Sequence, residues 1–407
     1  MIAHSRYDRL LMGSPLRRRG IGLAISTTLL LVLAYGTLVQ IIVFTRMPPE
    51  IARVFFVALA LSGLLSLAPI AVLWFLDRRE REAPWLFAAA FLWGGLIATA
   101  VALPFNTAFF RFVDRWVALN PIVTEILGPQ ASMLLAAPLS APFAEETAKA
   151  CGVLLVFGLL RAEFDNMRDG LIYGALIGVG FNWYEAALYA VQGYAEHGVG
   201  LFSLQLGARY ALFGLGGHAM FTGIFGAFLG FAMQTQKTWL RVLAPVAGLS
   251  LAIAAHMLNN ALPLFAALAG AAAGRPPEIE PPPEIGFIDA FLTGSLMQLT
   301  IFLPFLLIMA VVVWRSGVWE RRVIREELAD EIGRTISLEE YQDVLNDHML
   351  RTRRIDRLSP HASAALVNAQ HELAFRKHRV RSGGGDPARD NLVGAWRDDI
   401  RHLRRGV

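Results

Sequence analysis

Residues 144–149 read AEETAK and lie inside an apolar run that is long enough to cross a bilayer. Each ionisable side chain at that depth costs about 2.5–3.5 kcal/mol on insertion scales, so such groups persist where they face a bundle interior, a partner or water. On a helix, Lys149 follows Glu145 by four residues and Glu146 by three, so its amine can pair with either carboxylate. A buried ion pair needs only one glutamate. The second one favours a functional site over a purely structural pair.

The composition is typical of a polytopic membrane protein. Of the 407 residues, 55% are hydrophobic and 17% are charged, with a mean hydropathy of +0.47. A soluble domain would expose too much of this apolar surface. The single cysteine, Cys151, excludes an internal disulfide. The net charge of +4 is concentrated in loops and in the C-terminal region, which indicates membrane topology rather than nucleic-acid binding.

Eight segments are long enough to span a bilayer, for which a helix needs about 20 apolar residues. The sequence therefore predicts an all-α membrane bundle of about eight transmembrane helices. The predicted spans cover roughly residues 20–45, 51–76, 84–107, 130–160, 170–192, 205–233, 240–268 and 287–314.

Arginine-rich loops set the predicted orientation. Under alternate crossing they fall on one side of the membrane, whereas the other side carries the acidic, proline-rich loop 276–284. The positive-inside rule therefore places both termini in the cytoplasm. Residues 108–129 are too mixed in polarity for a span and are predicted to form an interfacial segment on the outer face.

The chain divides into three predicted regions: a cytoplasmic N-terminal segment (1–19), a transmembrane domain (20–316) and a cytoplasmic helical tail (317–407). The tail is asymmetric in charge. Residues 317–348 hold nine acidic and four basic side chains, and residues 349–407 hold thirteen basic and six acidic ones. The two parts can pair with each other, the basic part can lie on anionic lipid, or the tail can be solvated and helical without specific partners.

Four of the predicted spans carry costly polar groups at a similar depth. Glu185 and His256 each lie about sixteen residues from the cytoplasmic end of their span, or roughly 24 Å at 1.5 Å per residue. Glycines on the fifth and sixth spans allow the helices to approach closely. Pro138 and Pro142 predict a kink in the fourth span, just before the glutamate pair. The polar groups are Glu145, Glu146 and Lys149 on span four, Glu185 on span five, His218 on span six, and His256 and Asn260 on one face of span seven.

These residues form four motifs that resemble, in order, those of the PrsW family of intramembrane proteases, which is distantly similar to the CAAX prenyl endopeptidases. The motifs are Glu145-Glu146-x-x-Lys149, Phe181-x-x-x-Glu185, the isolated His218 and His256-x-x-x-Asn260. The likeness covers roughly residues 77–262 and includes Glu80-Arg81-Glu82 and Glu163-Phe164-Asp165. Ala186 follows Glu185 where many relatives carry asparagine, and the tail lies outside the resemblance.

The resemblance implies hydrolysis of a peptide bond in a membrane-anchored protein by a glutamate-activated water, in the plasma membrane of a bacterium. Either Glu145 or Glu146 would be the base, while the other holds Lys149 or the water. His256 and Asn260 would donate hydrogen bonds to the developing oxyanion. Glu185 would position the water or carry a proton, and His218 is either structural or catalytic. The cut would fall in the outer part of the substrate's span or just beyond it.

Three alternatives compete with this mechanism. Glu146, Glu185, His218 and His256 could bind a catalytic zinc ion, although the sequence has no HExxH motif and no cofactor is favoured. A proton-coupled carrier could use Glu185, His218 and His256 as a relay, but no internal repeat supports that class. His218 and His256 could also ligate one haem iron.

Overall fold

The computed structural model describes residues 19–79, 84–160, 164, 166–198, 202–275, 285–346, 354–355 and 358–405. The regular structure within them is helical, apart from one isolated bridge between Ile332 and Ile336. The prediction of an all-α fold is therefore confirmed. The helices in chain order are α1 (Arg19–Thr45), α2 (Pro49–Leu76), α3 (Pro84–Ala118), α4 (Pro121–Leu127), α5 (Ala131–Leu159), α6 (Met167–His197), α7 (Phe202–Arg209), α8 (His218–Gln234), α9 (Thr238–Ala272), α10 (Phe287–Ile301), α11 (Leu303–Ala329), α12 (Leu338–Leu345), α13 (Pro360–Ser382) and α14 (Asn391–Arg405).

Several predicted features lie outside the described residues. They are nearly all of the N-terminal segment 1–19, the acidic loop 276–284, the Glu80-Arg81-Glu82 motif, and Glu163 and Asp165.

Six helices among the described residues are long and apolar enough to cross a membrane, or seven if the bent pair α4 and α5 forms one span. This agrees roughly with the eight predicted spans. The predicted fifth span, α6, is 31 residues long but carries several charged side chains. The predicted eighth span is divided at Phe302 between α10 and α11.

Residues 108–129 do not form one separate segment. Helix α3 continues to Ala118, and α4 follows it at Pro121–Leu127, with a bend of 92° between α4 and α5. Helix α5 runs through Pro138 and Pro142 as a single helix.

The chain forms two compact units. The larger, which we call the membrane unit, comprises the described parts of 13–73 and 84–310. The smaller, which we call the tail unit, contains the described parts of 74–83 and 311–407. The predicted domain boundary at residue 317 falls within α11, which is unbroken there; that boundary stays a prediction.

Helices α6 and α8 pack backbone to backbone through glycines spaced four residues apart on α6. A Cβ atom on Gly170 would lie 1.9 Å from the carbonyl oxygen of Gly226. At Gly174 it would lie 2.3 Å from the carbonyl oxygen of Thr222. At Gly178 the corresponding distance to the carbonyl oxygen of His218 is 2.1 Å. This is the close contact that small residues permit between membrane helices, and it fixes the start of α8 against the middle of α6.

Opposite charges hold the tail unit together around an apolar core. Lys377 on α13 is fully buried. Its ammonium group donates to the carbonyl of Glu327 at 2.5 Å, to Glu331 at 2.8 Å and to Asp330. Arg397 on α14 also donates to Glu331, at 2.6 Å. The acidic end of α11 therefore pairs with the basic part of the tail, which is the first of the three arrangements considered from the sequence.

Candidate active site

Glu146 on α5 is bonded at both carboxylate oxygens, deep in the membrane unit. Its Oε1 accepts from Lys149 Nζ at 2.8 Å and lies 3.0 Å from His256 Nδ1. Its Oε2 accepts from Thr222 Oγ1 at 2.9 Å. The side chain is 1% exposed. Because every oxygen already has a partner, Glu146 is placed to hold other side chains.

Only one carboxylate oxygen of Glu145 accepts a hydrogen bond from the described residues. Its Oε1 accepts from Asn106 Nδ2 at 3.0 Å, and Asn106 is held in turn by Ser140 Oγ at 2.9 Å. Its Oε2 is buried and has no hydrogen-bond partner in the described part of the chain, with Lys149 Nζ 3.5 Å away. A carboxylate that is held in place and has one oxygen without a hydrogen-bond partner can accept a proton from a reactant.

Lys149 joins the glutamate pair to α8. Its ammonium nitrogen lies 2.8 Å from His218 Nδ1 and 3.7 Å from the ring centroid of Phe181. An ammonium group can only donate, so Nδ1 accepts and the ring proton is assigned to Nε2. Nε2 lies 2.6 Å from Glu185 Oε2 and donates to it. Lys149, His218 and Glu185 therefore form one directed chain of hydrogen bonds.

Glu185 is also held by a cation from α7. Arg209 Nη1 donates to Glu185 Oε2 at 2.7 Å, and the guanidinium group lies 3.9 Å from the ring centroid of Tyr189. The side chains of Glu185 and Arg209 are 12% and 19% exposed. This charge pair fixes the carboxylate that orients His218.

His256 and Asn260 lie on one face of α9, as their spacing predicts. An ionised carboxylate can only accept, so the ring proton of His256 is assigned to Nδ1, which faces Glu146. Its Nε2 then accepts from Asn260 Nδ2 at 3.3 Å and lies 3.8 Å from Glu145 Oε2. In this tautomer His256 is an acceptor, and the amide nitrogen of Asn260 also donates to the Ala137 carbonyl at 3.3 Å.

A tight turn brings Arg209 and His218 to the same place. Leu212 and Phe213 have positive φ angles of 51° and 56°, which few residues other than glycine adopt. Gly217, with φ of 57°, directly precedes His218 at the first position of α8. The turn therefore ends α7 and starts α8 within a few residues, with both side chains against α6.

The structure brings all the predicted site residues into one cluster, which is buried except that Glu185 and Asn260 are partly exposed, and which we call the carboxylate centre. Its members are Glu145, Glu146, Lys149, Phe181, Glu185, His218, His256 and Asn260.

Three side chains that were not predicted from the sequence bond to this centre, namely Asn106, Arg209 and Thr222, and a fourth, Ser140, bonds to Asn106. Arg209 was detectable as an isolated basic residue nine positions before His218, and Thr222 as a polar residue one turn after it. Asn106 and Ser140 were detectable only as polar residues within apolar runs. Such residues are too common to single out without the fold.

One group among the described residues can hold a metal ion. Ligand atoms of Glu145, His218 and His256 lie within 4.8 Å of one another, and all three residues are buried. Two imidazoles and a carboxylate, with water in the fourth position, are a common set of ligands for catalytic zinc. The residue types therefore fit zinc.

The predicted zinc ligands were a different set. Glu146 and Glu185 accept hydrogen bonds from the two imidazoles, an arrangement that usually orients metal ligands from outside. Lys149 lies 2.8 Å from His218 Nδ1, so its ammonium group would have to withdraw before that nitrogen could bind a cation.

Haem ligation is incompatible with the arrangement of the imidazoles. The rings of His218 and His256 contact each other edge to face, with centroids 4.9 Å apart. No porphyrin fits between two rings in direct contact.

Two cavities reach the centre. The first, which we call the apolar cavity, has a volume of about 360 Å³, lies between α3, α5 and α6 and is lined by both Glu145 and Glu185. The second, which we call the polar cavity, has a volume of about 510 Å³ and is lined by Arg209 and Asn260.

The fold and the site together define an integral membrane protein with a buried carboxylate and imidazole centre that cavities connect to the surroundings. Residues 82–279 match the family described as PrsW family intramembrane metalloprotease, and this part of the chain is therefore a domain of the PrsW family. No curated protein and no solved structure matches the chain significantly. Membership of this family supports an intramembrane peptidase that acts on membrane proteins.

Proposed function

We propose that the protein is an intramembrane endopeptidase in which Glu145 activates the attacking water. The observation that carries this proposal is the state of Glu145. One of its oxygens is fixed by Asn106, the other is buried and has no hydrogen-bond partner among the described residues, and the side chain lines a cavity. Glu146 has no free oxygen, which favours Glu145 as the base of the pair.

The proposed reaction needs one proton acceptor and one neutral donor. Glu145 takes a proton from water as the water oxygen bonds to the scissile carbonyl carbon. The amide of Asn260 exchanges its hydrogen bond to the Ala137 carbonyl for one to the developing oxyanion. As the C–N bond breaks, the proton on Glu145 passes to the leaving nitrogen, so the carboxylate is regenerated. Removing one such oxyanion donor typically lowers turnover about 10²–10³-fold.

The remaining residues position these two groups. Lys149 places positive charge beside Glu145 and is itself fixed by Glu146 and His218. His256 is oriented by Glu146 and accepts from Asn260. Glu185 fixes His218, and we infer no direct proton transfer from it.

Zinc is the second candidate, because three ligand atoms converge. Glu145, His218 and His256 would hold the ion, which would supply Lewis acidity and lower the pKa of a bound water. The position of Lys149 beside His218 favours the glutamate mechanism. Metal analysis of the purified protein, and its activity after chelation, distinguish the two.

For the location and direction of the reaction we propose a bacterial plasma membrane, both termini in the cytoplasm and a cut at the outer side. Arginine-rich loops support this orientation. A regulatory first cleavage of a membrane-anchored protein is the role that fits such a cut.

Quantitative proteomics of membrane-anchored proteins tests the proposal in cells. Cells that carry the wild-type chain are compared with cells that carry Glu145→Gln or Glu146→Gln. The proposal expects at least one fragment that forms only with the wild type. It fails if the fragments are the same in all three.

A further inference from the structure

The two cavities at the carboxylate centre differ in polarity. Apolar atoms contribute most of the surface of the apolar cavity, and Ala102, Ala141 and Leu188 are among its lining residues. In the polar cavity, polar and apolar atoms contribute about equally, and eight of its fifteen lining residues carry amide, imidazole or charged side chains. Gln205 and Glu196 are examples.

The cavities share a wall. Met133, Ala137, Tyr189 and Gln192 line both of them. Gln192 lies at the junction, with Nε2 donating to Glu196 at 2.9 Å and lying 3.9 Å from Met133 Sδ. The two cavities are therefore direct neighbours.

The catalytic groups are divided between the cavities. Glu145 lines the apolar cavity and Asn260 lines the polar one. A peptide bond attacked by water on Glu145 and polarised by Asn260 must lie between them. The residues on its two sides then extend into different environments.

We propose that the apolar cavity binds the apolar end of a substrate's membrane span and the polar cavity binds the hydrophilic residues that follow it. This inference rests on the proposed function and adds the substrate specificity of the enzyme. The enzyme selects the boundary at which a span changes from apolar to polar. A uniformly apolar segment would leave the amide and charged groups of the polar cavity facing side chains that cannot bond to them, which is unfavourable.

The test uses the purified full-length protein in lipid vesicles with a panel of single-span reporter peptides. Each reporter has a span of leucine and alanine followed by serine and asparagine, and the boundary is shifted by three residues from one reporter to the next. Mass spectrometry maps the new termini. The cut is expected to move with the boundary, and a reporter whose polar block is replaced by leucine is expected to be cleaved at least ten-fold more slowly.

Two variants test which part of the substrate each cavity binds. Gln205→Leu should reduce the preference for a polar over an apolar flank several-fold, and Ala141→Leu should make cleavage depend on a smaller apolar side chain beside the cut. Both readouts are ratios of rates on two reporters, so a general loss of folded enzyme does not change them.

The outcomes separate the two claims. If the wild type cleaves the reporters but at a fixed position, or if both variants keep the wild-type ratios, the inference is wrong and the proposed function stands. If the wild type cleaves no reporter at all, the proposed function fails and this inference fails with it.

Discussion

Lys149 Nζ lies 2.8 Å from His218 Nδ1, so the amine of the EExxK motif on α5 bonds directly to the histidine at the start of α8. The same amine bonds to Glu146 at 2.8 Å. Two motifs that are 69 residues apart in sequence therefore form one hydrogen-bonded unit, and anything that moves the start of α8 disturbs the glutamate pair.

This relationship predicts a strong effect of a small substitution on α6. Gly178→Ala should abolish activity, because the new Cβ would lie 2.1 Å from the carbonyl oxygen of His218 and would push α8 away. Gly223→Ala is the matched control on the same helix pair, since its Cβ would have no contact closer than 3.5 Å. Cleavage rates and thermal unfolding of both variants check this. Equal behaviour of the two would contradict the assigned contact.

The loss of Arg209 should lower activity through Glu185. Arg209→Gln removes the charge that fixes Glu185 and is expected to reduce turnover at least ten-fold. Arg209→Lys should recover part of the lost turnover, because lysine keeps the positive charge but lacks the planar guanidinium group. Arg241→Gln, at an exposed arginine on α9, should leave the rate unchanged. A wild-type rate for Arg209→Gln would show that Glu185 needs no such partner.

The sequence predicted most of the centre but not its internal arrangement. The EExxK, FxxxE, His and HxxxN motifs indicated residues that the fold brings together, because an ionisable group within a span is costly and therefore conspicuous. The sequence could not predict which glutamate accepts hydrogen bonds at both carboxylate oxygens. That depends on Asn106 and Thr222, which come from other helices and are inconspicuous in sequence.

The fold was predicted at the level of its class and its approximate number of spans. Helix boundaries were less predictable where a helix continues through polar residues. Helix α3 continues as a helix through the mixed residues up to Ala118, because the intrahelical hydrogen bonds do not require uniform hydropathy. Helix α6 is long enough to span, yet its charged residues lower its hydropathy.

The two glutamates should differ in their effect on stability. Glu146→Gln is expected to lower the thermal unfolding temperature more than Glu145→Gln. Glu146 bonds to Lys149, Thr222 and His256, whereas one oxygen of Glu145 has no hydrogen-bond partner in the part of the chain that the structure describes. Both variants should lose activity. Thermal unfolding in detergent measures the difference, and a larger effect of Glu145→Gln would reverse the assigned roles.

The tail unit should lose stability in acid through Glu331. Burial alone would raise the pKa of Glu331, but hydrogen bonds from Arg397 and Lys377 outweigh it and hold the pKa at about 2, below the ordinary value of 4.5. The folded state therefore favours the ionised form. The resulting stability is fully present above pH 4.5 and is lost as the pH falls through about 2.

Hydrogen exchange of α13, corrected for intrinsic rates, follows this loss in the full-length chain. Glu331→Gln should remove about 3 kcal/mol of protection at neutral pH, the lower end of what breaking a buried ion pair typically costs. Glu326→Gln, at a side chain that is 62% exposed, should change little. Unaltered protection in Glu331→Gln would mean that Lys377 is satisfied by its other partners.

The most direct test of the account is cleavage of a single-span reporter by purified Glu145→Gln protein in vesicles, with Glu125→Gln, an exposed glutamate on α4, as the matched control. The glutamate mechanism predicts that the wild type and Glu125→Gln produce the same new termini, while folded Glu145→Gln is slower by at least 10²-fold, the lower end of what a general base contributes. Cleavage by Glu145→Gln at close to the wild-type rate would contradict it.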